Sequence, residues 1–207
     1  MCSLHVVLAS DNAGKLAEFS SILTQADVVM TPQGQLGVAP VDEPYFTFVE
    51  NALAKARHAS EQAGLPSLAD DSGLCVSALG DAPGVFSARY AAMAGGTKSD
   101  EANNAYLLEQ LAGASDRSAC YVAVLVFVRS PTDPRPVIVE GIWHGEIATA
   151  PKGSNGFGYD PYFYLSDLGK TAAELTPEQK NQHSHRGRAL RTLLATLESP
   201  TGRPDVR

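Results

Sequence analysis

The chain has 207 residues, of which 44% are hydrophobic and 19% are charged, and its formal net charge at pH 7 is −7. This composition is typical of a globular protein and excludes an intrinsically disordered chain. The acidic balance argues against a protein that binds nucleic acid, because such proteins present a basic surface to the phosphate backbone. If the chain handles phosphate, we expect a small site with a few focused cations, and a nucleotide as its ligand.

The cysteines and the apolar runs predict a cytoplasmic protein without a membrane segment. The three cysteines, Cys2, Cys75 and Cys120, are widely scattered and show no C-x-x-C spacing, which fits a reducing compartment. The N-terminus lacks the basic region of a signal peptide. The longest apolar run, Ala119 to Val128, has about half the length of a membrane span and indicates a buried strand.

The first predicted elements in chain order are a strand, a helix and a second strand. Leu4 to Ala9 is a short, β-branched apolar run that predicts a buried strand. Helical spacing then predicts an amphipathic helix, whose apolar stripe consists of Leu16, Phe19, Ile22 and Leu23. Asp27 to Met30 suggests the second strand, and the stretch from Thr31 to Pro44, which contains Gly and Pro, suggests a loop.

The next helix has a clear start and end in the sequence. Thr47 and Glu50 form a T-x-x-E capping box, in which the side chains satisfy free backbone N–H groups of the first turn. Gly64 is expected to end this helix. The following segment, Ser67 to Leu79, predicts two strands joined by a sharp turn at Asp70 to Gly73.

The second half of the chain mixes both kinds of element. A helix is expected from about Asp100 to Leu111. Two alternating segments, Ser118 to Arg129 and Val137 to Ala150, flank a turn-rich sequence and predict a β-hairpin. The last helical region opens at Thr176 with a second capping box that has Pro in the first helical position.

This order of elements predicts an α/β or α+β fold with a mixed β-sheet. Strands and helices alternate throughout, and a long hairpin is inserted between them. We expect one domain over residues 1–198, built as two lobes with a cleft between them, and a mobile tail over residues 199–207.

Two lysines are candidates for holding phosphate. The segment from Ser10 to Lys15 lies where a strand passes into a helix, and a helix N-terminus binds anions through its free N–H groups and its dipole. The positive charge of Lys15 faces the positive end of the helix dipole there, which is unfavourable unless an anion lies between them. Lys55 lies on the second helix and could also reach a phosphate. The alternative for both is an ordinary surface lysine, after an Asn cap in the case of Lys15.

The sequence Asp70-Asp71-Ser72-Gly73 is a candidate for metal and water chemistry. Adjacent carboxylates repel each other, so their placement near a strand end is costly unless a cation or a hydrogen-bond donor compensates. Carboxylate oxygens suit Mg²⁺, which keeps several waters and shares its coordination with substrate phosphates. One carboxylate could also orient or deprotonate an attacking water. An ordinary Asp-Ser-Gly turn is the alternative.

Two further segments are candidates for binding a base. In the glycine-rich stretch from Gly153 to Pro161, Phe157 or Tyr159 could stack on a flat ligand, and Asp160 could accept a hydrogen bond from a base N–H. A glycine-rich connection with core aromatics is equally compatible with that stretch. Near the last helical region, Arg186 has only donors and therefore suits a carbonyl or phosphate oxygen.

Six motifs occur in this order along the chain: SDNAGKLAEF, TFVENALAKA, LADDSGL, PGVFSARY, GFGYDPYF and SHRGRAL. Together they resemble the inosine triphosphate pyrophosphatase family, hydrolases that remove non-standard purine nucleoside triphosphates. Each motif is modest alone, but the ordered set is specific and spans roughly residues 4 to 197. The resemblance implies an elongated, two-lobed mixed α/β fold and a homodimer. It also implies Mg²⁺-dependent release of pyrophosphate from ITP, dITP or XTP, which keeps these nucleotides out of DNA and RNA.

The resemblance also implies roles for individual residues. The triphosphate would be held by Ser10, Asp11, Asn12, Ala13, Gly14, Lys15 and Lys55. Asp71 would be the catalytic, metal-binding or water-activating carboxylate, with Ser72 beside the substrate. Glu43 occupies the position of a metal-associated acidic residue, although the residues after it depart from the family's usual Glu-Thr-Gly-Leu. The base pocket would be formed by Phe157, Gly158, Tyr159, Asp160, Lys180, His185 and Arg186.

Two other functions remain open on the sequence. A related pyrophosphatase for modified pyrimidine triphosphates would share the phosphate and metal residues and differ in the base pocket. A nucleotide-binding sensor would use the same residues without hydrolysis.

A donor such as Arg186 would favour a 6-oxo purine over adenine, because an amino group would leave buried donors unpaired. The device that rejects GTP is not evident from the sequence.

Overall fold

Seven strands form one sheet in the computed structural model, which describes residues 4–23 and 28–198. The strands are β1 (Leu4–Leu8), β2 (Val28–Pro32), β3 (Ser67–Val76), β4 (Ser118–Val128), β5 (Val137–Ile147), β6 (Phe163–Leu165) and β7 (Lys170–Thr171). Their order in the sheet is β2-β1-β3-β4-β5-β6-β7. β1 pairs in parallel with β2 and β3, whereas β6 is antiparallel to both of its neighbours. The predicted mixed sheet is therefore confirmed.

Six α-helices accompany the sheet within the described ranges. They are α1 (Ala13–Leu23), α2 (Phe48–Ala63), α3 (Tyr90–Met93), α4 (Asp100–Gln110), α5 (Pro177–His183) and α6 (His185–Glu198). None of these helices is long and apolar enough to cross a membrane. The predicted α/β class is thus confirmed. Part of the second predicted strand, Asp27, and the predicted mobile tail, residues 199–207, lie outside the described residues.

The predicted ends of α2 are confirmed. The Thr47 hydroxyl oxygen accepts a hydrogen bond from the Glu50 backbone N–H at 3.3 Å, which satisfies a free donor of the first turn. The Glu50 carboxylate accepts from the Thr47 hydroxyl at 2.6 Å and not from a backbone N–H, so only the Thr47 half of the predicted capping box is present. At the other end, Gly64 adopts the left-handed conformation with φ of 66° and accommodates the helix end without steric cost.

The last helical region begins as predicted and then divides. Thr176 and Gln179 form a complete capping box, and Pro177 occupies the first turn. Ser184 has extended backbone angles and separates α5 from α6. The break places His185 and Arg186 in the first turn of α6, so that their positions are set by a helix start rather than by a helix interior.

The predicted turn at Asp70 to Gly73 is wrong, because β3 runs without interruption from Ser67 to Val76. Gly73 is required there for a close approach of two backbones. A Cβ on Gly73 would lie 2.2 Å from the Gly84 carbonyl oxygen and 2.6 Å from the Ser87 hydroxyl oxygen. Since successive side chains of a strand point to opposite faces, Asp70 and Asp71 diverge, which relieves their repulsion.

The chain divides into two compact units, each with its own core. The first comprises, within the described residues, 4–23, 28–71, 123–141 and 186–198, and the second comprises 72–122 and 142–185. The core of the first unit includes Leu8, Phe19, Leu68, Phe127 and Leu190. The core of the second includes Leu74, Leu107, Trp143, Ile147 and Phe163. The predicted single domain with a cleft between two lobes stays a prediction.

The predicted β-hairpin is confirmed, and its turn is stabilised by one buried carboxylate. β4 and β5 are neighbours in the sheet, and the Ile147 N–H at the end of β5 donates to the Arg117 carbonyl just before β4. In the turn, Asp133 is 3% exposed. Its oxygens accept bonds from the Arg129 side chain at 2.7 and 2.9 Å and from the Arg129 and Arg135 backbone N–H groups. The hydrogen bonds from Arg129 lower the pKa of the Asp133 carboxyl to about 2.

We expect Asp133→Asn to lower the free energy of unfolding at neutral pH by about 1–2 kcal/mol, since solvent screens part of the contact with the half-exposed Arg129. A carboxyl whose pKa is lowered by folding stabilises the protein above its unfolded pKa, near 3.8, and loses that contribution as pH falls toward about 2. Urea unfolding of both proteins at several pH values should show the difference shrinking below about pH 5. A difference that stays constant with pH would contradict this role for Asp133.

Candidate active site

Lys15 lies in the first turn of α1 and is paired with a buried carboxylate. The Asn12 side-chain oxygen accepts a hydrogen bond from the Lys15 backbone N–H at 3.0 Å, so the Asn cap considered from the sequence is present. The Ser10 hydroxyl oxygen accepts in turn from the Asn12 N–H at 3.3 Å. The Lys15 ammonium is 2.6 Å from Asp70 Oδ2. Lys15 is thus held at the start of α1 instead of extending into solvent.

Asp11, from the same predicted phosphate-binding segment, is used to anchor another part of the first unit. Its two carboxylate oxygens accept hydrogen bonds from the Gly34 N–H at 2.9 Å and from the Gln33 side-chain amide at 3.0 Å. A Cβ on Gly34 would lie 2.5 Å from Asp11 Oδ1, so glycine permits this contact. The arrangement gives Asp11 a structural role, while Ala13 is exposed and Gly14 half-buried in the first turn of α1. The predicted triphosphate contacts of this segment stay predictions.

Asp70 organises two cations of the first unit. It is 1% exposed, with Lys15 Nζ at 2.6 Å and Arg186 Nε at 3.5 Å from its Oδ2. Burial alone would raise the pKa of the Asp70 carboxyl, but the charges of Lys15 and Arg186 outweigh it and hold the pKa well below its ordinary value. Arg186 also forms an ion pair with Glu18. Sequence reasoning missed Glu18, because it is 168 positions from its partner.

Asp71, Lys55 and Glu43 form a second charged cluster in the same unit. The Lys55 ammonium lies 2.9 Å from Asp71 Oδ1 and 2.6 Å from Glu43 Oε1. Burial would lower the pKa of Lys55, but the two carboxylates reverse this and raise it. Burial raises the pKa of the Asp71 carboxyl, and the charge of Glu43 adds to the effect. The positive charge of Lys55 acts in the opposite direction and favours the ionised carboxylate. Ser72, the next residue of β3, is half-buried.

Asp71 and Glu43 are the two carboxylates of this cluster that could hold a divalent cation. Lys55 Nζ lies between the Asp71 and Glu43 carboxylates, so the two groups converge on a point that already carries positive charge. No group of three or more His, Cys, Asp or Glu side chains is placed to hold a metal in residues 4–23 and 28–198. A hard cation bound here would take its other ligands from water and phosphate, as Mg²⁺ commonly does.

Asp160 holds together the glycine-rich loop of the second unit. It is 1% exposed, and Lys180 Nζ lies 2.6 Å from its Oδ2. The Phe157 backbone N–H and the Tyr121 hydroxyl donate to it at 2.9 and 3.3 Å. The Lys180 ammonium also lies 4.7 Å from the centre of the Phe157 ring. With these donors around it, Asp160 fixes the loop, and the predicted contact with a base N–H stays a prediction.

Two residues of α4 hold the backbone of Gly158 in that loop. The Asp100 carboxylate accepts from the Gly158 N–H at 2.7 Å, and the Asn104 side-chain amide donates to the Gly158 carbonyl at 2.9 Å. Neither residue was a site candidate on the sequence alone. Tyr159 belongs to the core and donates its hydroxyl hydrogen to the Ser87 carbonyl at 2.8 Å. Of the two candidate stacking aromatics, the structure therefore favours the half-buried Phe157.

His185 is a buried, stacked side chain of the second unit. Its ring lies parallel to that of Tyr121, with a centroid distance of 4.7 Å and an interplanar angle of 10°. Trp143 stacks at 6.4 Å from the same ring. Because the Tyr121 hydroxyl reaches Asp160, the stack links His185 to the loop that carries Phe157. The structure thus joins Phe157, Asp160, Lys180 and His185 through contacts within one unit.

Comparisons with known proteins agree over almost the full chain. The model of the Ham1 family matches residues 6–196. A dITP/XTP pyrophosphatase from Bordetella pertussis is 61% identical over 202 residues, which cover 97% of this chain and 95% of the relative. A protein of the same name from Ralstonia nicotianae is 61% identical over 193 residues, or 93% of this chain and 96% of the relative. The structure of a HAM1 protein from Coxiella burnetii has a TM-score of 0.87 at 49% identity, covering 94% of this chain and 98% of that one.

Proposed function

The chain belongs to the Ham1 family, and we propose that it hydrolyses non-standard purine nucleoside triphosphates to the monophosphate and pyrophosphate. The observation that carries this proposal is the likeness, over nearly the whole chain, to relatives named dITP/XTP pyrophosphatase. The expected substrates are ITP, dITP and XTP. The proposal includes a homodimer in the cytoplasm that removes these nucleotides before they enter DNA and RNA.

The charged clusters of the first unit support attack at the α-phosphorus. Phosphoryl transfer requires cations on the polyphosphate, an oriented water and a stabilised leaving group. Lys15 and Lys55 supply two ammonium groups that are held in place by Asp70 and Asp71. Asp71 is the carboxylate that orients or deprotonates the attacking water.

We further propose that Asp71 and Glu43 hold Mg²⁺ when the nucleotide is bound. The ion would neutralise charge that develops on the phosphate oxygens. The Lys55 ammonium lies between the two carboxylates, and its charge favours the ionised form of Asp71.

We make two separate proposals about recognition of the base. In the second unit, Phe157 is the side chain that stacks on the purine, held by the bond from its own backbone N–H to Asp160. In the first unit, Arg186 donates a hydrogen bond to the 6-oxo group. The ion pairs with Glu18 and Asp70 orient the Arg186 guanidinium, whose nitrogens act only as hydrogen-bond donors. A 6-amino group would leave a buried donor unpaired, which costs roughly 1–3 kcal/mol and disfavours adenine.

Pyrophosphate release from a nucleotide panel tests the proposal. With Mg²⁺ present, we expect rapid release from ITP, dITP and XTP, and slow release from GTP, ATP, dTTP and CTP. An excess of EDTA should abolish release, and added Mg²⁺ should restore it. Activity confined to pyrimidine triphosphates would replace the purine assignment with the pyrimidine one. Tight ITP binding without release in Mg²⁺ would identify a sensor in place of an enzyme.

A further inference from the structure

We propose that Asn51 is a positioning residue, which orients the Asp71 carboxylate and fixes the segment that carries Glu43. The inference rests on the proposed function, since it assigns a part in that reaction. Asn51 lies in the first turns of α2, one helical turn before Lys55, and is 1% exposed. Asp71 and Glu43 are the two carboxylates around Lys55, and Asn51 contacts one of them and the segment next to the other.

The side chain of Asn51 brackets a single residue of the neighbouring loop. Its Oδ1 accepts a hydrogen bond from the Tyr45 N–H at 3.1 Å, and its Nδ2 donates to the Tyr45 carbonyl at 3.1 Å. Exchange of the amide oxygen and nitrogen would set donor against donor and acceptor against acceptor. The two contacts therefore fix the orientation of the amide. Both polar backbone groups of Tyr45 are satisfied by this one side chain.

The remaining hydrogen of the same amide points to the catalytic carboxylate. Asn51 Nδ2 donates to Asp71 Oδ2 at 3.3 Å, while Lys55 Nζ lies 2.9 Å from Asp71 Oδ1. The two oxygens of Asp71 thus have different partners, and the plane of the carboxylate is fixed between them. If both hydrogens of the Asn51 amide bonded to the loop, Asn51 would not orient the Asp71 carboxylate.

The bracket at Tyr45 also limits where Glu43 can lie. Two residues of extended chain span at most about 7 Å, so Glu43 stays close to the point where Asn51 holds the loop. Glu43 is then kept against Lys55 at 2.6 Å. One neutral side chain consequently restricts the positions of both carboxylates without adding a charge to the cluster.

The test compares Asn51→Ala with Asn103→Ala, a matched control. Asn103 lies in α4, is 3% exposed, and accepts a hydrogen bond from the Ala91 N–H of α3 at 2.9 Å, so its loss also removes a buried contact with a backbone N–H. Both changes should lower stability. We expect only Asn51→Ala to lower kcat for ITP, by about 100-fold, with KM changed less than about 3-fold, since misplacement of reacting groups by about 1 Å costs this much. Equal effects on kcat in the two variants would overturn the inference.

Asn51→Asp removes both bonds that Nδ2 donates, to Asp71 and to the Tyr45 carbonyl, and adds a negative charge beside Asp71. The carboxylate can still accept from the Tyr45 N–H. Hydrogen exchange should find the Tyr45 amide protected in this variant and in the wild type, and unprotected in Asn51→Ala, while kcat stays low in both variants. Wild-type kcat in Asn51→Asp would show that the bond to Asp71 is dispensable and would overturn the inference. Failure of the wild-type protein to release pyrophosphate would sink the proposed function, and exchange at Tyr45 would still decide whether Asn51 anchors the loop.

Discussion

Replacing Asp71 with asparagine should lower pyrophosphate release from ITP by about 10³-fold or more, because the change removes a general base and a metal ligand together. The shape of the side chain is retained, and the remaining oxygen can still accept the bond that Asn51 donates in the wild type. Lys55 keeps its ion pair with Glu43 at 2.6 Å. We therefore expect the variant to fold, and its circular dichroism and unfolding midpoint to stay close to those of the wild type.

Asp133→Asn is the matched control for this experiment. It makes the same chemical change at a buried carboxylate in the β4–β5 turn, whose partners are Arg129 and Arg135. We expect this variant to lose stability and to keep the wild-type kcat. If Asp71→Asn retained wild-type turnover, the catalytic assignment of Asp71 would be wrong. A loss of turnover in both variants would indicate a general effect of removing buried charge.

Lys180→Met should lower the free energy of unfolding by about 3 kcal/mol, because removal of one partner leaves a buried charge uncompensated. The Asp160 carboxylate is 1% exposed and lies 2.6 Å from the Lys180 ammonium. Without that ammonium, Asp160 keeps the weaker donors Tyr121 and the Phe157 N–H. Since Lys180 also lies over the Phe157 ring, we expect a higher KM for ITP in the same variant.

A double-mutant cycle with Asp160→Asn measures the coupling directly. The double variant should be more stable than Lys180→Met alone, because the uncompensated charge is gone. Lys98→Met, at an exposed position, provides the control for loss of a lysine and should change stability by less than about 0.5 kcal/mol. Strictly additive effects in urea unfolding would contradict a direct interaction between Lys180 and Asp160.

Short sequence patterns predicted those features that depend on residues close together in the chain, such as helix starts. Thr47 and Thr176 were assigned as helix starts from four-residue patterns, and both caps are present in the structure. The glycine signal at Gly73 was misread, because glycine serves equally for a turn and for a close approach of two backbones. Only the position of Gly84, which the sequence does not give, decides between the two. Strands β6 and β7 have three and two residues, too few for a period to show.

The residue types of the candidate site were predictable from the sequence, but the contacts between these residues were much less so. Lys15 was singled out at a helix start, Asp71 as one of two adjacent carboxylates, and Lys55 as a lysine of the second helix that could reach a phosphate. Their partners come from distant parts of the chain, such as Asp70 for Lys15. Residues that act through others, such as Asn51 and Asn104, carry no periodic or charge signal, and only their contacts in the folded chain reveal them.

The position at which water attacks ITP tests the central claim most directly. Hydrolysis in water labelled with ¹⁸O, followed by mass spectrometry of the products, identifies both the bond that breaks and the phosphorus that is attacked. Attack at the α-phosphorus, as Lys15, Lys55 and Asp71 are proposed to support, should give labelled IMP and unlabelled pyrophosphate. Labelled inorganic phosphate together with IDP would instead place the attack at the γ-phosphorus and contradict the assignment of this protein as a pyrophosphatase.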